Sequence, residues 1–328
     1  MRIGTACICF AVASLVGTAQ NVQRASQSPH TPTLLELSSS EHSLPHFGFY
    51  DEPQCDPDGR IFFHIDTGKY NDSVVMRLSP SAQESKLFKL PDDYSGTAFS
   101  GFTITPLGSL RVLAEDKEGF LIFDFDGDGD LTGHTRLALP EHPAISQFAS
   151  LDNGLSLLAG FVSRRPLPDS DKSVIAIFDA SGRHIKDIAY SRKFNINAEA
   201  DITIRQGFSV AGRDGNFYLL LKDKILVIMP DGHIQRSVTF HSPDPKSIAT
   251  RLFVSDGTFG IVQRSINPRD GSVKTFFSLL YAATGEEIGY YVLPDDSTGH
   301  VLCYSRNEGL SVFGYENKRF ILMNAKLK

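Results

Sequence analysis

A turn signal ending in glycine and followed by an apolar run recurs six times along this chain. The copies are DPDGRIFFHI, TPLGSLRVLA, LDNGLSLLAG, GRDGNFYLLL, VSDGTFGIVQ and RNEGLSVFGY. Their glycines, Gly59, Gly108, Gly154, Gly215, Gly257 and Gly309, lie 42 to 61 residues apart. Each copy is followed by a second run and turn: VVMRLSPSA, FLIFDFDGDG, VIAIFDASG, ILVIMPDG, FSLLYAATG and FILMNAKL. Self-similarity at such a period narrows the fold more than any other feature, because it belongs to architectures in which small units stack on their own copies.

The runs are four to seven residues of Phe, Ile, Leu and Val bounded by turn residues, which favours strands over helices. No apolar stripe at helical spacing lasts three turns. Glycine supplies positive φ in the turns, and Asp and Asn bond their own backbone there. Each unit therefore reads as four short strands, A to D, with the first turn between A and B and the second between C and D. Six such units make an all-β, six-bladed propeller. The sixth unit stops at NAKLK, right after its third strand. The expectation is that TLLEL, Thr33 to Leu37, supplies the missing fourth strand, closes the ring and removes an edge.

Turns of the form hhFDxxG (h apolar), as in VIAIFDASG after LDNGLSLLAG, resemble the six-bladed propellers of the NHL-repeat and TolB-like type, from about residue 33 to the end. The resemblance implies the fold. It implies no single function, since such propellers include lactonases, lyases, scaffolds and receptor modules. No Asn-His-Leu triplet is present; DSVVMRL and EGFLIFDF stand in its place.

The first residues, MRIGTACICFAVASLVGTA, carry one basic residue and a short apolar run closing on small residues, so residues 1–19 read as a cleaved export signal. The polar stretch 20–32 reads as flexible, and 33–328 as one propeller domain. The run is too short to span a bilayer comfortably and none later is apolar enough, so a protein exported to a periplasmic or extracellular compartment, without a membrane span, is expected. The net charge of −6, spread without blocks, argues against nucleic acid, which demands a basic face. A monomer is expected.

Once Cys7 and Cys9 leave with the signal, Cys55 and Cys303 remain. Both fall on inner A strands of the first and last blades, adjacent when the ring closes, so a disulfide is expected, with two buried thiols as the alternative.

The short glycine turns share one face of the ring. The B–C loops and the D-to-A connections share the other. DTGKYNDS, VSRRPLPDSDKS and RSINPRDGSVK are long B–C loops in blades 1, 3 and 5, whereas EDKEG, LKDK and YENKR are short ones in blades 2, 4 and 6. Binding residues concentrate on long loops, so function is expected on that second face. The connections KLPDD, ALPEH and VLPDD put Asp92, Asp93, Glu141, His142, Asp295 and Asp296 on its rim. They read either as an acidic ring that attracts a cation or basic peptide, or as solvated turns.

DFDGDGDLTGHT places Asp124, Asp126, Asp128 and Asp130 at alternate positions with Gly129 between, as in a calcium loop. Thr135 stands where the bidentate carboxylate belongs, and the stretch aligns with plain C–D turns such as FDASG. It reads as a structural calcium site or as an acidic turn, on the face away from the long loops. No other cofactor is indicated: there is no HExxH, no GxSxG and no phosphate-cradling glycine loop. His64, in strand B of blade 1, reads as a core or channel-lining residue. The expected function is a binding or interaction module for a protein, peptide or small molecule. The alternative is a metal-assisted hydrolase or lyase, lactonase-like, with its site at the central channel.

Overall fold

The computed structural model describes residues 33–327 except 35, 37, 43–47, 50–52, 67–72, 80–83, 95, 140–142, 163–171, 189–207, 243, 295–299, 307 and 317–318. The signal and flexible stretches expected at 1–32 lie outside the described residues. Six sheets, antiparallel but for one added two-residue strand, form six blades in a ring, with a single three-residue 3-10 turn among the described residues. Blades 2 to 5 each run A to D without a crossover, as in blade 2: Ala98–Ile104, Leu110–Asp116, Gly119–Phe125 and Leu131–Arg136. Blade 1 builds its inner strand from two short pieces, Gly48–Phe49 and Gln54–Cys55, both paired to Ile61–Asp66.

Six apolar clusters hold the ring, one at each seam between neighbouring blades. Because successive side chains on a strand point to opposite faces, one strand feeds two seams. Ile61 and Phe63 pack towards blade 6, while Phe62 between them packs towards blade 2. Both faces of the inner strands are thus buried, which is why these runs read as continuous apolar stretches. The outer strands see a neighbour on one side only and alternate in burial, as do Leu131–Arg136 and His184–Asp187.

The ring is closed by the N-terminal region, but not by the strand expected. Ser38–His42 pairs antiparallel with Arg319–Ala325 and becomes the outer strand of blade 6, with Ser38 opposite Asn324 and His42 opposite Phe320. Thr33–Leu34 instead lies parallel to Glu287–Val292, outside blade 5. The apolar look of TLLEL misleads, because an outer strand is half exposed and needs no apolar run. SSSEH satisfies the same backbone edge.

Each of the six first-turn glycines has positive φ, between 74° and 95°. The second turns carry a further constraint, because they pack against the outer strand of the preceding blade. A Cβ on Gly182 would overlap the carbonyl oxygen of Arg136, the last residue of blade 2 strand D. At Gly129, Gly232 and Gly285 the added carbon would meet side chains instead, Lys86, Lys186 and Val238, at 2.6, 2.8 and 2.6 Å. Gly215 has nearly the same φ, +80 against +78, but nothing within 4 Å of the added carbon. Gly182→Ala is therefore expected to lose about 3 kcal/mol, from the left-handed backbone and the overlap together, and Gly215→Ala about 1 kcal/mol from the backbone alone. Equal losses in urea unfolding of the two variants would mean that the blades are not interlocked at these turns.

Candidate functional site

Blades 2, 3, 5 and 6 share a bulge at one position of the inner strand, marked by Ser100, Ser146, Thr250 and Leu302. The residues that follow are Gly101, Gln147, Arg251 and Cys303. A bulge re-aims the next side chain. At Arg251 it delivers a guanidinium that is only 2% exposed to the inner strands of blades 6 and 1. Its Nη1 donates to the Val301 carbonyl at 2.6 Å, and its Nη2 donates to the carbonyls of Leu302, at 3.0 Å, and of Pro53. The rings of Phe208 and Phe253 flank it at 5.4 and 4.9 Å. One side chain thus ties three inner strands together. The sequence contained a signal for it: a lone arginine inside the inner strand IATRLFVS is a buried cation that must find acceptors.

Beside it, Cys55 and Cys303 lie at disulfide distance, with Cα atoms 5.7 Å apart, inside the ~4.4–6.8 Å span of such bonds. Gln54 bridges in the other direction, its Nε2 donating to the Phe102 carbonyl at 2.7 Å and its Oε1 accepting the Ile104 N–H at 3.2 Å. His64 is buried and stacked on Phe99 with centroids 3.8 Å apart. These inner polar groups serve packing. Among the described residues, no group of three or more His, Cys, Asp or Glu is placed to hold a metal ion.

The acidic loop sits in the second turn of blade 2. Asp126 Oδ1 accepts the N–H groups of Asp128 and Asp130, at 2.8 and 2.9 Å. Asp56 and Asp179 make the same pair of bonds, to Asp58 and Arg60 and to Ser181 and Arg183. At Asp179 the Ser181 hydroxyl leads the set of hydrogen bonds that holds the carboxyl at about 2. Asp124 points elsewhere: its Oδ1 is 2.6 Å from Nε of Arg111, which also donates to the Leu151 carbonyl of blade 3 at 2.9 Å. A cleft of about 230 Å³ opens there between blades 2 and 3, lined by Arg111, Asp124, Asp152 and Asp179. Since Asp126 already staples its own turn and Asp124 already has a cation, the melting temperature is expected to be the same with calcium and with chelator. Asp126→Ala should cost about 1–2 kcal/mol through the lost turn bonds in either condition. A stabilisation by calcium that Asp126→Ala abolishes would instead establish the metal site.

On the opposite face, Asp92 and Asp93 are exposed on the 3-10 turn Asp92–Tyr94. The turn is anchored by Tyr94, whose ring meets Phe123 edge-on at 4.8 Å and whose hydroxyl lies 3.2 Å from Nδ1 of His134. Glu141, His142, Asp295 and Asp296, the other rim residues expected, lie outside the described residues. So do the long loops 67–72 and 163–171. The long B–C loop of blade 5 is described in full. Strands Thr258–Ile266 and Val273–Tyr281 run past both neighbours: strand A begins at Ile248, opposite Arg264, and strand D ends at Val292, opposite Phe276. All nine residues from Ile266 to Lys274 are exposed.

No protein-family model matches the chain, and no curated protein matches it in sequence. Among solved structures, a protein of unknown function from Bacteroides caccae is similar with a TM-score of 0.50 and 14% identity, over 76% of this chain and 83% of that one. The Pan2 WD40 domain of Neurospora crassa aligns with a TM-score of 0.47 and 10% identity, over 84% and 89%. At such identities the likeness concerns the fold. The chain is a six-bladed β-propeller. Among its described residues no helix is long and apolar enough to cross a membrane.

Proposed function

We propose that this propeller is an exported binding module of the NHL-repeat or TolB-like type, whose partner docks on the face of the B–C loops. The carrying observation is the blade 5 hairpin, an ordered ribbon that rises beyond its sheet with every residue from Ile266 to Lys274 in solvent. The opposite face is used differently. Its turns pack on the preceding blade at Gly129, Gly182, Gly232 and Gly285, so that face holds the ring together. The inner strands support the same reading: Arg251 binds backbone carbonyls and Gln54 bridges two blades. Export is supported by the signal-like residues 1–19 and by a cysteine pair that an oxidising compartment would join.

The test is to tether the protein by one face at a time, through Asn153→Cys on the turn face or Asn267→Cys on the hairpin. Proteins captured from an exported fraction should be retained with the first tether and fall by on the order of tenfold with the second, whose attachment blocks the docking face. Equal recovery from both tethers, or turnover of lactone substrates by metal-loaded protein, would overturn the reading.

A further inference from the structure

The cleft of about 230 Å³ between blades 2 and 3, on the turn face, is lined by polar groups that the ring only partly uses. Blade 2 contributes Arg111, Ile122 and Asp124 from its paired strands B and C, and blade 3 contributes Asp152 and Asn153 from its first turn. The Arg111 side chain is only 12% exposed. Its Nε meets Asp124 Oδ1, and its Nη1 donates to the Ser150 hydroxyl and the Leu151 carbonyl. Nη2 has no hydrogen-bond partner among the described residues. On the blade 3 side, Asp152 Oδ1 accepts the Leu107 N–H and Asn153 Oδ1 accepts the Leu155 N–H, both at 3.2 Å. Oδ2 of Asp124, Oδ2 of Asp152 and Nδ2 of Asn153 remain unengaged among the described residues. Asp179 differs, because Ser181 and Arg183 occupy both its oxygens.

Charge decides the class of ligand. Arg111 offsets Asp124, and Arg183, with Nε 3.0 Å from Asp179 Oδ2, offsets Asp179. A compact cation in the cleft would sit beside the Arg111 guanidinium, and an anion beside the carboxylates of Asp124 and Asp152. A hydroxyl both donates and accepts, so it can meet a free N–H and a free carboxylate oxygen at once, without either conflict. Arg111 is already held by three groups, so little freedom is lost when its Nη2 binds. The volume lies below the ~300–1,000 Å³ of pockets for drug-sized ligands, which limits the occupant to about one ring. Ile122, itself in the lining, offers an apolar surface for the C–H face of such a ring.

We propose that this cleft is a second binding site, for one neutral monosaccharide unit, free or at the end of a glycan. Arg111 Nη2 and Asn153 Nδ2 donate to its hydroxyls, and Asp124 and Asp152 accept from them. The site is independent of the docking face on the B–C loops. The probes are glucose, galactose, mannose and fucose, each titrated against the full chain by calorimetry and saturation-transfer NMR. Arginine amide and citrate serve as cationic and anionic controls. At least one of the four sugars should bind, and the controls should not. Asp152→Asn replaces a free acceptor by a donor at constant size and should weaken that sugar about tenfold. Asn153→Cys capped with a bulky maleimide should abolish its binding, because the cap fills the cleft.

Asp152 and Asn153 are exposed, so both variants should melt with the native chain, which separates lost binding from lost folding. Binding of none of the four sugars, or sugar binding unchanged by the cap, overturns the proposal. So does binding of arginine amide in their place, which would make the cleft a cation site.

Discussion

A chain shortened to begin at residue 43 is expected to lose ring closure and aggregate, whereas one beginning at Ser38 should do neither. Removal of Ser38–His42 uncovers the whole edge of Arg319–Ala325, whose sequence RFILMNA is an apolar strand with unpaired backbone groups. The blade 6 sheet would fall from four strands to three, with its third strand at the edge. A loss of several kcal/mol lowers the melting temperature of a domain this size by on the order of 10 °C. Removal of Thr33–Leu34 touches only two residues paired outside blade 5, with Leu34 largely exposed. The pair of truncations separates the two N-terminal strands. If the chain beginning at residue 43 stays monomeric with an unchanged melting temperature, the closure is not what holds the ring.

The second large effect is at the same seam, on its inner side. Cys55 and Cys303 should be recovered as one linked pair when the denatured, unreduced protein is digested and mapped. They are 248 residues apart in sequence, so a bond between them closes most of the domain into one loop. The chain-entropy estimate for such a loop is about 5 kcal/mol, less whatever the native geometry loses. Cys55→Ser/Cys303→Ser should therefore shift the urea midpoint more than any other surface-neutral change at the seam. The ring should still form, because Ile61, Phe63 and Leu78 of blade 1 pack on Leu302, Phe313 and Leu322 of blade 6 without the sulfurs. Two free thiols at positions 55 and 303 in the unreduced protein would rule the bond out.

The ring itself was legible in the sequence. Six glycine turns at similar spacing, each followed by a short apolar run, leave few alternatives, since local turn chemistry and strand length do not depend on the rest of the fold. That is also why Cys55 and Cys303 could be brought together on paper: position within a repeat converts directly into position in the ring. The candidate site was less legible. The expectation that function belongs on the B–C face followed from loop length, but that the blade 5 loop stands clear of its sheet depends on where the neighbouring strands stop. Ile248 and Val292 decide that for blade 5.

Where the sequence reading went astray, side-chain character was taken for backbone need. TLLEL looked like a strand because it is apolar. The edge of Arg319–Ala325 required only backbone partners, which SSSEH supplies. Arg251 was passed over because its acceptors are the carbonyls of Val301, Leu302 and Pro53, which lie 50, 51 and 198 residues away. For Asp124, whose calcium binding the chelator experiment tests, spacing along the chain did not show the cation beside it. Its neighbour in space is Arg111, brought there by the cross-strand register of blade 2. Repeats, turns and strand lengths are properties of a few adjacent residues, and the sequence by itself determined them. Which edge is capped, which cation is buried and which charges meet are properties of pairs distant in the chain, and only the closed ring decided those.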